Sequence, residues 1–321
     1  MNHIEALPTN DGIAAASTRI DGSFTNTPLL EQASANLALG CRLFAKVETL
    51  NPIRSFKARG AYWWMSNLPQ SDAPIVAASA GNFGQGLACA AARWGRAVII
   101  FAATTANPVK IDAMRRLGAE VVLTGIDFDA AKTEARAFAI SQGYPFVEDG
   151  AHRAIAEGAG TIALEITHRL RRAGIELDAI VVPLGNGALL TGVGTWIKAH
   201  APSCRVIGVV AAGAPAMKLS WEQDREVATP GVATAADGIA VRDPVPYALA
   251  CMRATVDDVW DVGEPSIASA TRFCQRHFGL VVEPAGAVGI AALIERSASL
   301  AGQTVATILC GGNVIHDPER P

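Results

Sequence analysis

No apolar run in this chain approaches the roughly 18 residues that a membrane-spanning helix needs, so a helical membrane protein is excluded. The first residues, Met1-Asn2-His3-Ile4-Glu5-Ala6-Leu7-Pro8, lack both the basic stretch and the apolar stretch of a secretory signal. Close cysteine pairs are missing too. The six cysteines (41, 89, 204, 251, 274 and 310) are scattered, and none of the six histidines is spaced for metal ligation. No metal site is expected, metal-dependent hydrolysis has no footing, and the thiols fit a reducing cytoplasm. Charge of either sign is scarce: 18% of residues are charged and the net charge is -3, which supports neither nucleic acid nor an anionic membrane as partner. Aromatics make up only 6%. Internal repeats and low-complexity linkers are absent, which excludes solenoid and fibrous architectures.

What is present is small and apolar. Half the residues are hydrophobic and 30 are glycine, a composition suited to helices packed closely on sheets. A chain of 321 residues can build a large core divided into two lobes. The partners this leaves are small molecules and a second copy of the chain.

From residue 74 onward, short β-type runs alternate with helical stretches. Strands are expected at 75–78, 98–101, 121–123, 179–182, 206–210 and 305–309. Helices are expected at 84–94, 108–117, 128–141, 157–171, about 189–199, 266–278 and 285–296. This alternation predicts an α/β fold of mostly parallel sheets flanked by helices. Residues 211–250, with Pro215, Pro230, Pro244 and Pro246, read as loops and short helices. In such folds ligands sit beyond the carboxyl ends of the strands.

Four segments there carry chemistry. Ser55-Phe56-Lys57-Ala58-Arg59-Gly60 sets a lysine between the breaker Asn51-Pro52 and an apolar helix. Desolvation there would favour the free amine, the nucleophile of Schiff-base chemistry, although a helix-start lysine more often carries its head in water. Ser79-Ala80-Gly81-Asn82-Phe83-Gly84 follows a strand and suits a carboxylate, or simply lets helix and strand approach. Gly185-Asn186-Gly187-Ala188-Leu189 reads as a phosphate cradle, matching neither the P-loop nor the dinucleotide fingerprint. Cys310 closes the last strand and Glu283 opens a late helix; singly, these are a buried thiol and a helix-start acid.

Taken in order, S-F-K-x-R-G, S-A-G-N, the glycine-rich turn, A-D-G-I-A, E-P-A-G-A and C-G-G-N resemble the fold-type II pyridoxal-phosphate enzymes of the threonine/serine dehydratase branch. The resemblance spans Thr27 to Asn313. It implies pyridoxal 5′-phosphate as cofactor, with Lys57 forming the Schiff base and then acting as the α-proton base. It implies cofactor contacts from Phe56, Asn82, Gly185, Asn186, Gly187, Ala188, Leu189, Glu283 and Cys310, the thiol facing the pyridine nitrogen. Ser55, Ser79, Ala80, Gly81, Asn82 and Phe83 would meet the substrate. Arg54 stands where these enzymes often carry glycine, and would either bind a second anionic group or point to solvent.

The implied architecture is a small α/β domain at 61–147, and a large domain of 1–60 plus 148–321, with the cofactor between them. The implied activity is β-elimination from a β-hydroxy amino acid such as L-threonine or L-serine, giving a 2-oxo acid and ammonia, in a cytoplasmic homodimer. β- or γ-Replacement and threonine-synthase-like chemistry are the alternatives, followed by serine racemisation and a catalytically silent binding subunit. Ala80 replaces the serine that racemases of this branch use as a second base, so racemisation is expected to be poor. No acid follows Gly208-Val209-Val210, so activation by a divalent cation is not expected. Neither is a C-terminal regulatory domain beyond Pro321.

Overall fold

The computed structural model describes residues 6–314, which contain ten strands. In chain order these are β1 (Leu29–Glu31), β2 (Arg42–Val47), β3 (Ile75–Ala78), β4 (Val98–Ala102) and β5 (Glu120–Leu123). They continue as β6 (Phe146–Val147), β7 (Ala179–Pro183), β8 (Arg205–Ala211), β9 (Asp258–Val262) and β10 (Thr304–Leu309). One sheet has six strands in the order β1-β2-β10-β7-β8-β9; the other has four, in the order β5-β4-β3-β6. Every pairing is parallel except β1 against β2.

Helices cover both faces of both sheets, because the strands are apolar on both faces. In β7, Ile180 and Val182 pack into one core with helices Arg153–Arg172 and Ala188–His200, whereas Ala179 and Val181 pack into another with helix Pro284–Glu295. In β3, Ile75 and Ala77 face one core and Val76 and Ala78 a smaller one. The α/β class and the two mostly parallel sheets expected from the sequence are therefore present.

All six expected strands and seven expected helices occur, with ends shifted by a few residues. The largest extension is helix Arg153–Arg172, which begins four residues before the expected start at Glu157. Strands β1, β2, β6 and β9 are additional to those expected. β2 contains Arg42 and Lys46, and β9 contains Asp258 and Asp261, so neither reads as an apolar run. Lys46 is buried in spite of its charge, because its ammonium donates to Thr27 O at 2.7 Å and pairs with Glu165 Oε2 at 2.5 Å.

Between β2 and helix Lys57–Ser66 the chain makes a tight loop organised by Asn51. Its Nδ2 donates to the carbonyls of Glu48 and Ser55, each at 2.9 Å, and its Oδ1 accepts from the N–H groups of Ile53 and Ser55. Within this loop Arg54 has φ 52°, a left-handed conformation that costs a residue with a Cβ roughly 1–2 kcal/mol. A glycine at this position would therefore relieve a local backbone cost. Arg54→Gly is expected to stabilise the protein by about 0.5–1 kcal/mol after the entropy of the added glycine is counted. A lower denaturant midpoint for the variant would contradict this account.

Candidate active site

A cavity of about 450 Å³ opens at the carboxyl ends of β3, β6, β7 and β10. Its walls include the residues that leave each strand: Ser79–Phe83 after β3, Glu148 and Asp149 after β6, Gly185 and Asn186 after β7, and Cys310 after β10. Its volume lies in the range of small-molecule sites.

Lys57 reaches this cavity because the Asn51 loop is stitched to the end of β10. Phe56 N–H donates to Cys310 O at 3.2 Å, Gly312 N–H donates to Arg54 O at 2.9 Å, and Ser55 bridges Gly311. Lys57 then opens its helix, and two residues later Arg59 anchors it. The Arg59 guanidinium is wholly buried; it pairs with Glu48 at 2.9 Å and Glu165 at 2.7 Å, and donates to Thr161 Oγ1 at 2.9 Å. Burial alone would weaken its charge, but Glu48 and Glu165 outweigh that and hold its pKa above the ordinary arginine value. Lys57 Nζ pairs with Asp149 Oδ2 and lies 4.7 Å from the Phe56 ring centroid.

The loop after β3 is preorganised by its own side chains. Ser79 Oγ accepts from the N–H groups of Gly84 at 2.9 Å and Gly81 at 3.2 Å, which fixes the start of helix Asn82–Arg93. Asn82 links this loop to the larger sheet. Its Nδ2 donates to Glu283 Oε1 at 2.6 Å, and its Oδ1 accepts from Asn313 Nδ2 at 2.8 Å. Glu283 is 3% exposed and its Oε2 has no hydrogen-bond partner among the described residues. Burial pushes its pKa up to about 7, against the opposing pull of Lys110.

The turn after β7 is of a different kind. Gly187 has φ 95°, and a Cβ there would lie 2.4 Å from Ala248 Cβ, so only glycine fits. It starts the 13-residue helix Ala188–His200, whose first turn no side chain caps. Such a terminus offers backbone N–H groups and a favourable dipole to a phosphate. At the cavity's other end, burial and the nearby Glu283 push the Cys310 thiol far up, so it stays neutral.

Of the residues singled out from the sequence, Phe56, Lys57, Ser79, Ala80, Gly81, Asn82, Phe83, Gly185, Asn186, Leu189, Glu283 and Cys310 line this one cavity. Ser55, Gly187 and Ala188 do not line it, although each adjoins a residue that does. Arg54 points elsewhere: it lines a separate cleft of about 140 Å³ with Gln85, Lys110, Arg116 and Asn313. Sequence reasoning missed Asp149, Lys110 and Arg242 and gave no role to Asp237, which stands within the A-D-G-I-A motif; all four line the main cavity. Lys110 pairs with Asp237, and Arg242 pairs with Asp129 at 3.1 Å and Asp243 at 3.3 Å. The pairs Lys110–Asp237 and Arg242–Asp129 join segments far apart in the chain, so no local spacing could have announced them. Asp149 follows a strand of two residues, too short to show a pattern.

A neutral thiol, a lysine and an uncapped helix start around one cavity are the fittings for a phosphorylated carbonyl cofactor on a two-sheet α/β fold. Residues 20–311 match the family described as pyridoxal-phosphate dependent enzyme, and the chain belongs to that family. It is 36% identical over 305 residues to an L-threonine ammonia-lyase of Geobacter sulfurreducens, covering 94% of this chain and 75% of that one. It is 35% identical over 308 residues to an L-threonine ammonia-lyase of Thermotoga maritima, covering 95% and 76% of the two chains. Among solved structures, a threonine deaminase of Solanum lycopersicum, isoform 2 in its processed form, superposes with a TM-score of 0.87 at 31% identity, over 99% of this chain and 89% of the other.

The raised Glu283 pKa has a consequence for stability. The folded protein keeps a proton that the unfolded chain has released, so stability falls as pH rises from about 4.5 through about 7. Glu283→Gln is expected to flatten that fall, which amounts to as much as about 3 kcal/mol. Urea unfolding of both proteins at several pH values between these limits checks it; parallel curves would refute the assignment.

Proposed function

We propose that this protein is a pyridoxal-phosphate-dependent ammonia-lyase that converts a β-hydroxy amino acid such as L-threonine or L-serine to a 2-oxo acid and ammonia. The observation that carries this reading is the meeting, in one cavity, of Lys57, the loop Ser79–Phe83, the turn Gly185–Asn186 and Cys310. The names of the relatives support the same reaction class.

When bound, pyridoxal phosphate supplies an aldehyde for the substrate amine and a ring that accepts the electron pair released at Cα. The chain's own groups do the rest. The N–H groups at the start of helix Ala188–His200, with Gly185, Asn186, Gly187 and Leu189, hold the phosphate. Ser79, Ala80, Gly81 and Asn82 receive the substrate carboxylate, and buried Phe83 gives the substrate pocket an apolar wall. The Lys57 amine takes the α-proton. Cys310, as a neutral thiol, would hold the ring of the bound cofactor without giving it a full proton, which suits elimination, where charge at Cα is short-lived. Loss of the β-hydroxyl leaves an enamine that hydrolyses to the products. Ala80 offers no hydroxyl as a second base, so racemisation is slow.

The pairs Lys110–Asp237 and Arg242–Asp129 join the segment 61–147 to the rest of the chain beside the cavity. We assign 61–147 as a small domain closing on a large one built from 1–60 and 148–321, which shields the reaction from water. The reading includes a cytoplasmic homodimer, supported by six free cysteines and by the family resemblance. Light scattering should give roughly twice 33.4 kDa.

The purified protein is expected to show the absorbance band of a cofactor Schiff base and to form 2-oxo acid and ammonia from threonine or serine alone. Lys57→Ala should lose the band and lower turnover by roughly 10²–10⁴-fold or more. A strict requirement for a second nucleophile would instead establish a replacement enzyme.

A further inference from the structure

We propose that Asp149 is the counter-ion of Lys57 during proton abstraction: its carboxylate stabilises the ammonium that forms when Lys57 removes the substrate α-proton. In that step the Cα–H bond breaks and its proton forms an N–H bond at Nζ. The electron pair passes to the bound cofactor, and a neutral amine becomes a cation inside the cavity. A cation formed there needs an anion already in place.

Lys57 Nζ contacts Asp149 Oδ2, with side-chain exposures of only 15% and 8%. Asn186, from the turn after β7, donates its Nδ2 to the same oxygen at 3.1 Å and fixes the carboxylate from a second direction. The backbone is held equally closely. Gly150 has φ 84°, and a Cβ there would lie 2.4 Å from Asn186 O, so residues 149 and 150 pack directly on that turn.

The remaining carboxylate oxygen, Oδ1, is buried and has no partner among the described residues. An unpartnered buried oxygen of this kind calls for an explanation beyond fastening the loop. The other acids of the cavity are engaged elsewhere: Glu148 with Lys132 and Arg136, Asp237 with Lys110, Asp127, Asp129 and Asp243 with Arg242, and Glu283 with Asn82. Among the described residues, Asp149 is the one carboxylate paired with Lys57.

The proposal takes from the lyase reading only that Lys57 is the α-proton base, and its test does not depend on elimination. L-Alanine has no β-leaving group, so the holoenzyme can exchange its α-hydrogen with D2O without consuming it, and proton NMR follows the exchange. Asp149→Asn is expected to slow this exchange roughly 10- to 100-fold, the effect of losing one hydrogen bond to a charged group. The cofactor should still bind and its absorbance band should be retained, with the pH dependence of the band shifted because the same carboxylate faces the Schiff-base nitrogen. Asp149→Glu, which restores the charge, should recover part of the rate.

Exchange at the wild-type rate in Asp149→Asn overturns the proposal. So does loss of the cofactor band in both variants, because Asp149 would then serve to hold the cofactor. A wild-type protein that shows the band yet exchanges nothing overturns it as well. If the wild type exchanges alanine but yields no 2-oxo acid from serine or threonine, the lyase reading fails while the counter-ion assignment stands or falls on the variants.

Discussion

The site depends on one buried ionic cluster. Arg59 sits one half-turn beyond Lys57 and is completely enclosed, with Glu48 from the end of β2 and Glu165 from helix Arg153–Arg172 on its guanidinium. Glu165 also takes the buried Lys46, so two cations and two carboxylates share one dry space. Removing one member would leave an uncompensated charge, typically a loss of about 3–5 kcal/mol. Such a cluster adds little net stability over apolar packing, but it tolerates few arrangements. It therefore sets the start of helix Lys57–Ser66 relative to the larger sheet, and with it the lysine.

The two sheets then contribute in different ways. The larger sheet supplies rigid ends: the Gly185–Asn186 turn after β7, Cys310 after β10 and Glu283 at the head of a helix. The smaller sheet supplies the loop Ser79–Phe83 and Asp149. Polar contacts join the two groups across the cavity: Asn82 with Glu283, Asp149 with Asn186 and, beside them, Lys110 with Asp237. Polar contacts of this kind exchange readily with water, whereas the apolar cores behind each sheet do not.

Much of the fold was legible in the sequence. β7 and β10 are short apolar runs bounded by turns, and a parallel sheet must bury such runs on both faces. β2 and β9 were not legible, because their charges find partners only after folding: Lys46 meets Glu165 across 119 positions. The site divides along the same line. Lys57, the Ser79 loop and the Gly185 turn each sit in a contiguous motif whose chemistry can be read locally. Asp149 does not, since nothing around Glu148-Asp149-Gly150 marks it and only its meeting with Lys57 and Asn186 gives it a role. Arg54 is a different case, because proximity in sequence does not carry it to the cavity. Its neighbour Lys57 lines the cavity, but a left-handed backbone at Arg54 turns it toward another cleft.

The uncapped start of helix Ala188–His200 reaches beyond chemistry. A helix of 13 residues buried in the main core, yet lacking a side-chain cap, leaves part of its own stabilisation to whatever anion it holds. Because a ligand that binds only the folded chain raises its stability by mass action, the lifetime of this protein is coupled to the supply of its cofactor. When pyridoxal phosphate is scarce, a larger fraction of the chains occupies open forms. The amount of folded enzyme then follows the vitamin as well as the gene.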